Sequence, residues 1–304
     1  MYRILILLFF SFFSLSVSSS VDIWFAPRSD NFILNVNDHN LWRNSRKEIS
    51  VYKFYYQQVI QDDPVKLCGK LYFLKKNNIK IAIEWPISNI NGDGLGSGLE
   101  GFSDHVTTIK LVNRIKSCNE KLDYVVMDEP LFFGSYLKKN NTPNLSVDLL
   151  AKNLSVNVSY ILKEFPNVEF GDIEPIDQLG LNYKDLIYRW IHSFQEITGA
   201  HMAFFHDDVI WADNWMKTSQ SIYPVLKDNN TRFGIIFNAK NGRGPDDKWM
   251  ESNRENVKLF FSNNKNKIDD AIFQSWNRYP NNIDDERDSN SHISIIGYFM
   301  SFER

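Results

Sequence analysis

The chain has 304 residues, of which 43% are hydrophobic and 14% aromatic, so it can bury a large core and is not an intrinsically disordered protein. Its formal net charge of -3 lacks the basic character of a nucleic-acid-binding protein. These bounds favour one barrel-sized domain or two small domains, and they argue against nucleic acid as a partner.

The first twenty residues have the order of regions that is typical of a secretory signal peptide. A short start with one cation leads into an apolar run over residues 4–15, and small residues follow at 16–20. The run is shorter than the roughly 20 residues that a membrane-spanning helix needs. We therefore expect residues 1–20 to be a signal peptide and 21–304 to be the mature domain, secreted or periplasmic and not inserted in a membrane. An uncleaved membrane anchor is the alternative.

Eight short, β-rich apolar runs alternate with helical patterns along the rest of the chain. The predicted strands cover residues 21–26, 51–56, 79–84, 122–128, 168–173, 201–206, 232–238 and 271–275. The predicted helices cover residues 41–48, 64–76, 106–118, 147–164, 183–197, 215–227, 251–263 and 292–302. This alternation predicts a parallel sheet covered by helices, and eight such units predict a single α/β domain with the (β/α)8 TIM-barrel fold.

An open, doubly wound sheet is the competing fold. It usually carries a glycine-rich phosphate-binding turn after its first strand. In this chain the glycine-rich segment 92–98 follows the third predicted strand, and it lacks the Lys-Ser/Thr of a P-loop. We interpret this segment as a flexible loop over the mouth of the barrel.

The two cysteines, Cys68 and Cys118, lie on predicted helices that are neighbours on the outside of a barrel. In an exported protein they can form one disulfide, and their spacing matches no zinc site. The sequence leaves the pairing open, because it does not give the distance between the two Cα atoms.

Acidic residues follow four consecutive predicted strands, the third to the sixth. β/α barrels carry their active sites at these carboxyl ends. A single acid there is often only a helix cap, but acids at four strand ends predict an acidic active site. Converging carboxylates raise one another's pKa, which allows one of them to act as a general acid. The acids are Glu84, Asp128, Glu129, Asp172, Glu174, Asp207 and Asp208.

Glycoside hydrolysis fits this pattern, because it needs two carboxylates on either side of the scissile bond. Glu129, followed by the turn-fixing Pro130, is the predicted acid. Glu174 is the predicted second carboxylate, and Asp207 and Asp208 are the reserves. Asp128 is expected to keep Glu129 protonated or to react itself.

Aromatic residues near the same strand ends suit sugar rings, which stack on aromatic faces, although core packing explains part of them. Tyr56 and Trp211 belong to this group of rim aromatics. The predicted substrate-binding residues are Trp24, Lys53, Tyr55, Glu84, Trp85, His206, Asn238 and Trp276.

The segment Val-Val-Met-Asp-Glu-Pro over residues 125–130 resembles the fourth-strand end of barrel glycoside hydrolases, where an acid/base Glu precedes Pro. The resemblance implies an acid/base role for Glu129. The large retaining clan has Asn where this chain has Asp128, and its nucleophile on the seventh strand has no acidic counterpart in residues 237–240. Chitinase-like barrels also end this strand in Asp and Glu, but their repeated-Asp motif is absent from residues 122–129.

Most of residues 21–304 also resembles uncharacterised bacterial exported barrel proteins, which share segments like 21–27 and 127–131. This resemblance implies the fold and export. It does not imply a particular carbohydrate substrate.

Two other functions remain open. A metal-dependent barrel enzyme would use Glu84, Glu129, Glu174, His206 and Asp208 as an oxygen-rich shell for Mg²⁺ or Mn²⁺, although no paired-His motif is present. A non-catalytic barrel would bind a glycan with the same aromatics. No Gly-x-Ser-x-Gly nucleophile motif occurs. The preferred hypothesis is a glycoside hydrolase that acts on a polysaccharide or oligosaccharide, without a cofactor or metal.

Overall fold

The computed structural model describes residues 21–35, 40–212, 215–240, 242, 244–263 and 266–303. The predicted signal peptide at residues 1–20 lies outside these residues. Within the described ranges, no helix combines the length and the apolar character that crossing a membrane requires.

Eight parallel strands close into a barrel in which each strand pairs with its neighbours in sequence and the last pairs with the first. The strands are β1 (Asp22–Ala26), β2 (Ile49–Tyr55), β3 (Lys80–Trp85), β4 (Tyr124–Asp128), β5 (Glu169–Glu174), β6 (Met202–Asp207), β7 (Arg232–Phe237) and β8 (Asp270–Gln274). This confirms the (β/α)8 prediction. Both ends of every predicted strand lie within two residues of the ends of the observed strand.

Helices surround the barrel. They are α1 (Ser45–Glu48), α2 (Tyr56–Gln61), α3 (Pro64–Lys76), α4 (His105–Lys116), α5 (Val147–Glu164), α6 (Tyr183–Thr198), α7 (Trp215–Asp228), α8 (Asp246–Phe261) and α9 (Ser294–Glu303). Asp63, Asp104 and Ser146 cap α3, α4 and α5 with their side chains. Three helices differ from prediction by more than two residues: α1 begins four residues after the predicted 41, α2 was not expected, and α8 begins five residues before the predicted 251. Acidic residues in the first turn of α8 favour that earlier start.

Successive residues of each strand face opposite sides of the barrel wall. On β1, Ile23 and Phe25 pack into the layer between strands and helices, while Trp24 faces the interior. The interior core also contains Val51, Ala82, Tyr124, Val126, Ile173, Phe204, Ile236 and Ile272. The same alternation decides which acids at the strand ends reach the mouth.

Cys68 on α3 and Cys118, two residues beyond α4, form a disulfide with Cα atoms 4.8 Å apart. The pairing that the sequence left open therefore occurs, and it joins two adjacent helices of the outer layer.

A long loop over residues 86–104 connects β3 to α4. It contains the glycine-rich segment 92–98 and two short paired strands, Ser88–Asn89 and Phe102–Ser103. The backbone N–H of Gly96 donates to the carbonyl of Asn141 at 3.0 Å, which joins this loop to the loop after β4. These contacts place the glycine-rich segment beside the loop after β4, and its position over the mouth stays a prediction.

Candidate active site at the mouth of the barrel

A cavity of about 750 Å³ lies at the carboxyl ends of the strands. Its lining combines acidic and aromatic side chains. The acids are Glu84, Glu100, Asp128, Glu129 and Asp208, and the aromatics are Tyr55, Tyr56, Phe132, Phe133 and Trp276. The cavity therefore offers several carboxylates together with apolar ring faces.

Asp128 and Glu129 are adjacent in sequence, yet both line the cavity. Asp128 ends β4 on its inward face, so a continued strand would turn Glu129 away. Instead Glu129 adopts φ 46°, which is rare for a residue other than glycine, and its N–H donates to the Ile173 carbonyl at 3.1 Å. Strained backbone of this kind concentrates at functional sites. The bend at Glu129 is what brings both carboxylates to the same cavity.

Glu100 is a cavity carboxylate that sequence reasoning missed, because it lies in the loop after β3 and not at a strand end. Gly101 fixes its place: it has φ 73°, and a Cβ there would lie 1.9 Å from the Asp128 carbonyl oxygen. Only glycine allows the loop to approach β4 so closely. The sequence Gly98-Leu-Glu-Gly101 is the feature that could have indicated a tight turn with an acidic residue.

Lys53 is the buried cation beneath the cavity. Its ammonium hydrogen-bonds to Glu84 and Gln274, and its side chain is fully buried. The sequence predicted that Lys53 binds substrate, whereas the structure places it under Glu84 and outside the cavity lining. Its charge acts on the acids above, since it opposes the rise in the pKa of Asp128 and Asp208.

Burial raises the pKa of four of the cavity acids, which are Glu100, Asp128, Glu129 and Asp208. Removal from water raises the pKa of Glu129 well above its usual value, and the neighbouring Asp208 is the largest electrostatic contributor. Burial also raises the pKa of Asp128, and the negative charge of Glu84 is the second largest cause of the rise.

Asp208 and Glu100 are less strongly shifted. Burial raises the pKa of Asp208 to about 6, against the attraction of Lys53 and a hydrogen bond from Asn238 at 3.3 Å. Burial and the charges of Glu84 and Asp208 raise the pKa of Glu100 to about 7. At neutral pH, Asp208 is therefore mainly ionised while Glu129 holds its proton more tightly.

Two predicted catalytic acids, Glu174 and Asp207, do not line the cavity. Their neighbours Ile173 and His206 face the barrel interior, so strand alternation turns both acids outward. The Glu174 carboxylate accepts the N–H groups of Leu131 and Phe132, at 2.6 and 2.9 Å. Its contacts are those of a buried cap for the turn after β4.

Asp207 has a comparable place in the outer layer. Its carboxylate accepts the hydroxyl of Ser219 and the N–H of Ile176, the latter at 3.3 Å. Both outward acids thus tie a strand to the segments that cover it.

Three predicted binding residues lie away from the cavity. Trp24 fills the barrel interior and donates to Asp270 at 3.1 Å. His206 is buried beside it, with its Nε2 3.2 Å from Asp270. Trp85 faces the helices and donates to Thr108 at 3.2 Å. Barrel and helix packing account for all three.

The remaining predicted binding residues belong to the cavity or support it. Glu84, Tyr55 and Trp276 line it, and the Trp276 side chain is 62% exposed at the rim. Asn238 lies behind Asp208 and holds it, while Trp211 donates to Asn238 at 2.8 Å.

The metal-enzyme hypothesis loses two of its five ligands, since Glu174 and His206 do not reach the cavity. Within the described ranges, no group of three or more His, Cys, Asp or Glu side chains has the arrangement of a metal site. The acids that do line the cavity are those of the carboxylate cluster described above.

No protein-family model matches the sequence. No curated protein is significantly similar to it.

Comparison with solved structures identifies many similar barrels. A psychrophilic glycoside hydrolase family 10 endo-β-1,4-xylanase is 10% identical, with a TM-score of 0.52 over 84% of this chain and 86% of that one. Xylanase XynB from Paenibacillus barcinonensis is 12% identical, with a TM-score of 0.52 over 84% of each chain. The aldolase QR15 is 12% identical, with a TM-score of 0.45 over 94% of this chain and 96% of that one.

Identities this low show the fold alone, because a TIM barrel carries many unrelated activities. The chain therefore has a TIM-barrel fold of the kind found in family 10 glycoside hydrolases.

Proposed function

We propose that the protein is a glycoside hydrolase that cleaves a polysaccharide or oligosaccharide at the mouth of its barrel. The observation that carries the proposal is the pair Glu129 and Asp208, which line one cavity in environments that separate their pKa values. A pair of carboxyl groups separated in this way supplies one acid and one base at the same pH.

In the proposed reaction, protonated Glu129 donates its proton to the glycosidic oxygen as the bond to the anomeric carbon breaks. Ionised Asp208 either attacks the anomeric carbon or takes a proton from the water that attacks it. In the first case water later releases the sugar from Asp208, and Glu129 accepts the proton of that water. Asp208 replaces Glu174 as the second carboxylate, because Glu174 is held outside the cavity by the Leu131 and Phe132 N–H groups.

The walls of the cavity suit a carbohydrate. Tyr55, Phe132 and the exposed ring of Trp276 offer faces on which sugar rings stack. The carboxylates and the Gln274 amide offer hydrogen-bond partners for hydroxyl groups.

We also propose that the mature protein acts outside the cytoplasm. The Cys68–Cys118 disulfide supports this location, because disulfides persist in oxidising compartments. The order of regions in residues 1–20 supports it independently.

The test is a sugar-release screen over a panel of polysaccharides and oligosaccharides. It compares the wild type with Glu129→Gln, Asp208→Asn and the control Glu169→Gln, which removes one acid at the exposed start of β5. We expect release by the wild type and the control, and losses of about 10²- to 10⁴-fold in the two cavity variants. Circular dichroism would check that all variants are folded.

Release that survives in Glu129→Gln would contradict the acid assignment. If no glycan is cleaved but some bind, the non-catalytic glycan-binding barrel replaces the hydrolase.

A further inference from the structure

Lys53 holds two side chains of the cavity at once. Its ammonium donates hydrogen bonds to Oε2 of Glu84 and, at 2.5 Å, to Oε1 of Gln274. These two residues lie on β3 and β8, and both line the cavity, whereas Lys53 is fully buried beneath it. Because both oxygens are bound to one nitrogen atom, the Glu84 carboxylate and the Gln274 amide lie side by side on the floor of the cavity.

The ammonium also decides which way the Gln274 amide faces. An ammonium has three donors and no acceptor, so it meets the amide oxygen and not the amide nitrogen. The Nε2 group, with its two N–H donors, is therefore left for the cavity. Among the described residues, no acceptor takes a hydrogen bond from Nε2, although Gln274 is only 4% exposed. A ligand that accepts from this group gains a hydrogen bond at a position that water reaches poorly.

Glu84 offers the opposite polarity beside this amide. Lys53 uses only its Oε2, and no donor in the described part of the chain reaches Oε1. Neither Oε1 of Glu84 nor Nε2 of Gln274 is sealed inside the protein, so both atoms remain open to the cavity. The floor of the cavity thus presents one acceptor and one donor as neighbours, both in fixed orientations.

This arrangement matches two hydroxyl groups on adjacent ring carbons of a sugar. A hydroxyl both donates and accepts, so one of the pair donates to Glu84 while the other accepts from Gln274. The ring of Tyr55, whose centre lies 5.6 Å from the Lys53 ammonium, also lines the cavity and offers a face for the same sugar ring. A sugar whose two hydroxyls are methylated has no donor for Glu84, and its methyl groups keep it from the floor.

We propose that Glu84 and Gln274 form a subsite that recognises a vicinal pair of sugar hydroxyls, and that Lys53 is the positioning residue that fixes both. This inference rests on the proposed function, since it names the feature of the carbohydrate that the same cavity recognises. Gln274 is the member of the subsite that strand-end reasoning did not assign. Lys53 acts through the two side chains above it and does not touch the sugar.

The test measures binding and not turnover. In a Glu129→Gln background, which prevents hydrolysis, calorimetry at about pH 7 compares β-1,4-linked hexamers of glucose, xylose and galactose with the same hexamers methylated at O2 and O3. The methylated forms contain no vicinal hydroxyl pair. We expect at least one unmodified hexamer to bind about tenfold or more tightly than its methylated form.

Adding Gln274→Glu keeps an oxygen for Lys53 but removes the N–H donors. It should weaken binding of the unmodified hexamer about tenfold and leave that of the methylated form nearly unchanged. Gln178→Glu, at the exposed edge of the cavity, adds the same charge without removing a buried donor, so it should not change the ratio of the two affinities. A purely structural Gln274 predicts the opposite result, since Gln274→Glu retains the contact with Lys53.

Adding Lys53→Met should also lower the ratio, because the two side chains above it are then free to turn. Lys70→Met is the matched control, since Lys70 is also buried and pairs with Asp30 and Asp62, at 2.9 and 2.7 Å, outside the cavity. Circular dichroism would check folding. If Lys53→Met does not fold, the Lys53→Met, Glu84→Gln double variant, which removes the buried ion pair as a unit, should lose the preference in its place.

Equal affinity within all three pairs of hexamers, including no binding to any of them, overturns the inference. A preference that survives Gln274→Glu, or that survives the loss of Lys53, overturns it as well. The outcomes separate the two proposals. A preference for unmodified hexamers without any cleavage by the wild type would refute the hydrolase alone, and cleavage without such a preference would refute the subsite alone.

Discussion

The backbone at single residues decides which acids meet in the cavity. The left-handed conformation of Glu129 lets two consecutive residues, Asp128 and Glu129, face the same space. Gly101 allows the loop after β3 to touch the Asp128 carbonyl, which brings Glu100 to the same place. Each of these positions acts through a φ angle that ordinary residues avoid.

We expect a bell-shaped dependence of kcat/KM on pH. Activity should fall below about pH 6, where Asp208 gains a proton, and again at higher pH, where Glu129 loses the proton that its raised pKa retains. Glu100→Gln removes a negative charge near Glu129, so the pKa of Glu129 falls and the alkaline limb should move to lower pH. Initial rates from pH 4 to 10 on any cleaved glycan would show this, with Glu169→Gln as control. If the alkaline limb does not move, the charge of Glu100 does not act on the pKa of Glu129.

At the scale of elements, the outward acids hold strands to their cover. Glu174 ends β5 and caps the turn after β4. This turn follows Glu129 directly in the sequence. Asp207 ends β6 and binds Ser219 on α7. These contacts explain why acids at strand ends need not belong to an active site.

Replacing Glu174 with Ala should cost about 2 kcal/mol of stability, because two buried N–H groups lose their acceptor. Glu174→Gln, which keeps one acceptor oxygen, should cost less. Chemical denaturation would measure both. In the fraction that remains folded, sugar release should fall by less than about tenfold, in contrast to Glu129→Gln. A loss in Glu174→Gln as large as that in Glu129→Gln would return Glu174 to the catalytic set.

The disulfide between α3 and the end of α4 closes a segment with a sequence separation of 50. Its loss in the Cys68→Ser, Cys118→Ser double variant should lower the free energy of unfolding by about 4 kcal/mol, because the unfolded chain gains loop entropy. Denaturation of the oxidised wild type, the reduced wild type and the double variant would measure this. Identical midpoints for all three would mean that the cross-link does not constrain the unfolded chain.

At the scale of the whole molecule, ionisation of the cavity acids lowers the stability of the folded protein. The folded protein holds the protons of Glu100 and Asp208 more tightly than the unfolded chain does. Between about pH 4 and pH 7 unfolding therefore releases protons, and these groups make the free energy of unfolding fall as pH rises. The buried His206 and His292, whose pKa values are lowered, act in the opposite sense over the acidic part of this range.

The difference in stability between Glu100→Gln and the wild type isolates the effect of Glu100, because both proteins contain the same histidines. Glu100→Gln should match the wild type in stability near pH 4, where both side chains are neutral, and should exceed it by about 1 kcal/mol above pH 7 after allowance for solvent screening. Urea denaturation across this range would show the difference growing with pH. A variant that is less stable than the wild type at pH 8 would show that Glu100 makes a favourable contact in the folded state.

The sequence by itself determined the barrel. Eight apolar runs of strand length alternate with helical patterns, and this local periodicity is enough to specify parallel strands and covering helices to within two residues at each strand. The sequence also identified four acids of the mouth by their positions at predicted strand ends, because barrel topology brings these ends together. They are Glu84, Asp128, Glu129 and Asp208.

Only the tertiary structure decided which strand-end residues share the cavity. A shift of one residue reverses the face of a strand, so Glu174 and Asp207 point outward while Asp208 points inward. Lys53, Trp24 and His206 face inward but lie below the mouth. Glu100 reaches the site through a loop contact that no periodic pattern encodes. Local patterns fix the direction and length of each element, whereas depth in the barrel and loop placement depend on contacts between residues that are distant in sequence.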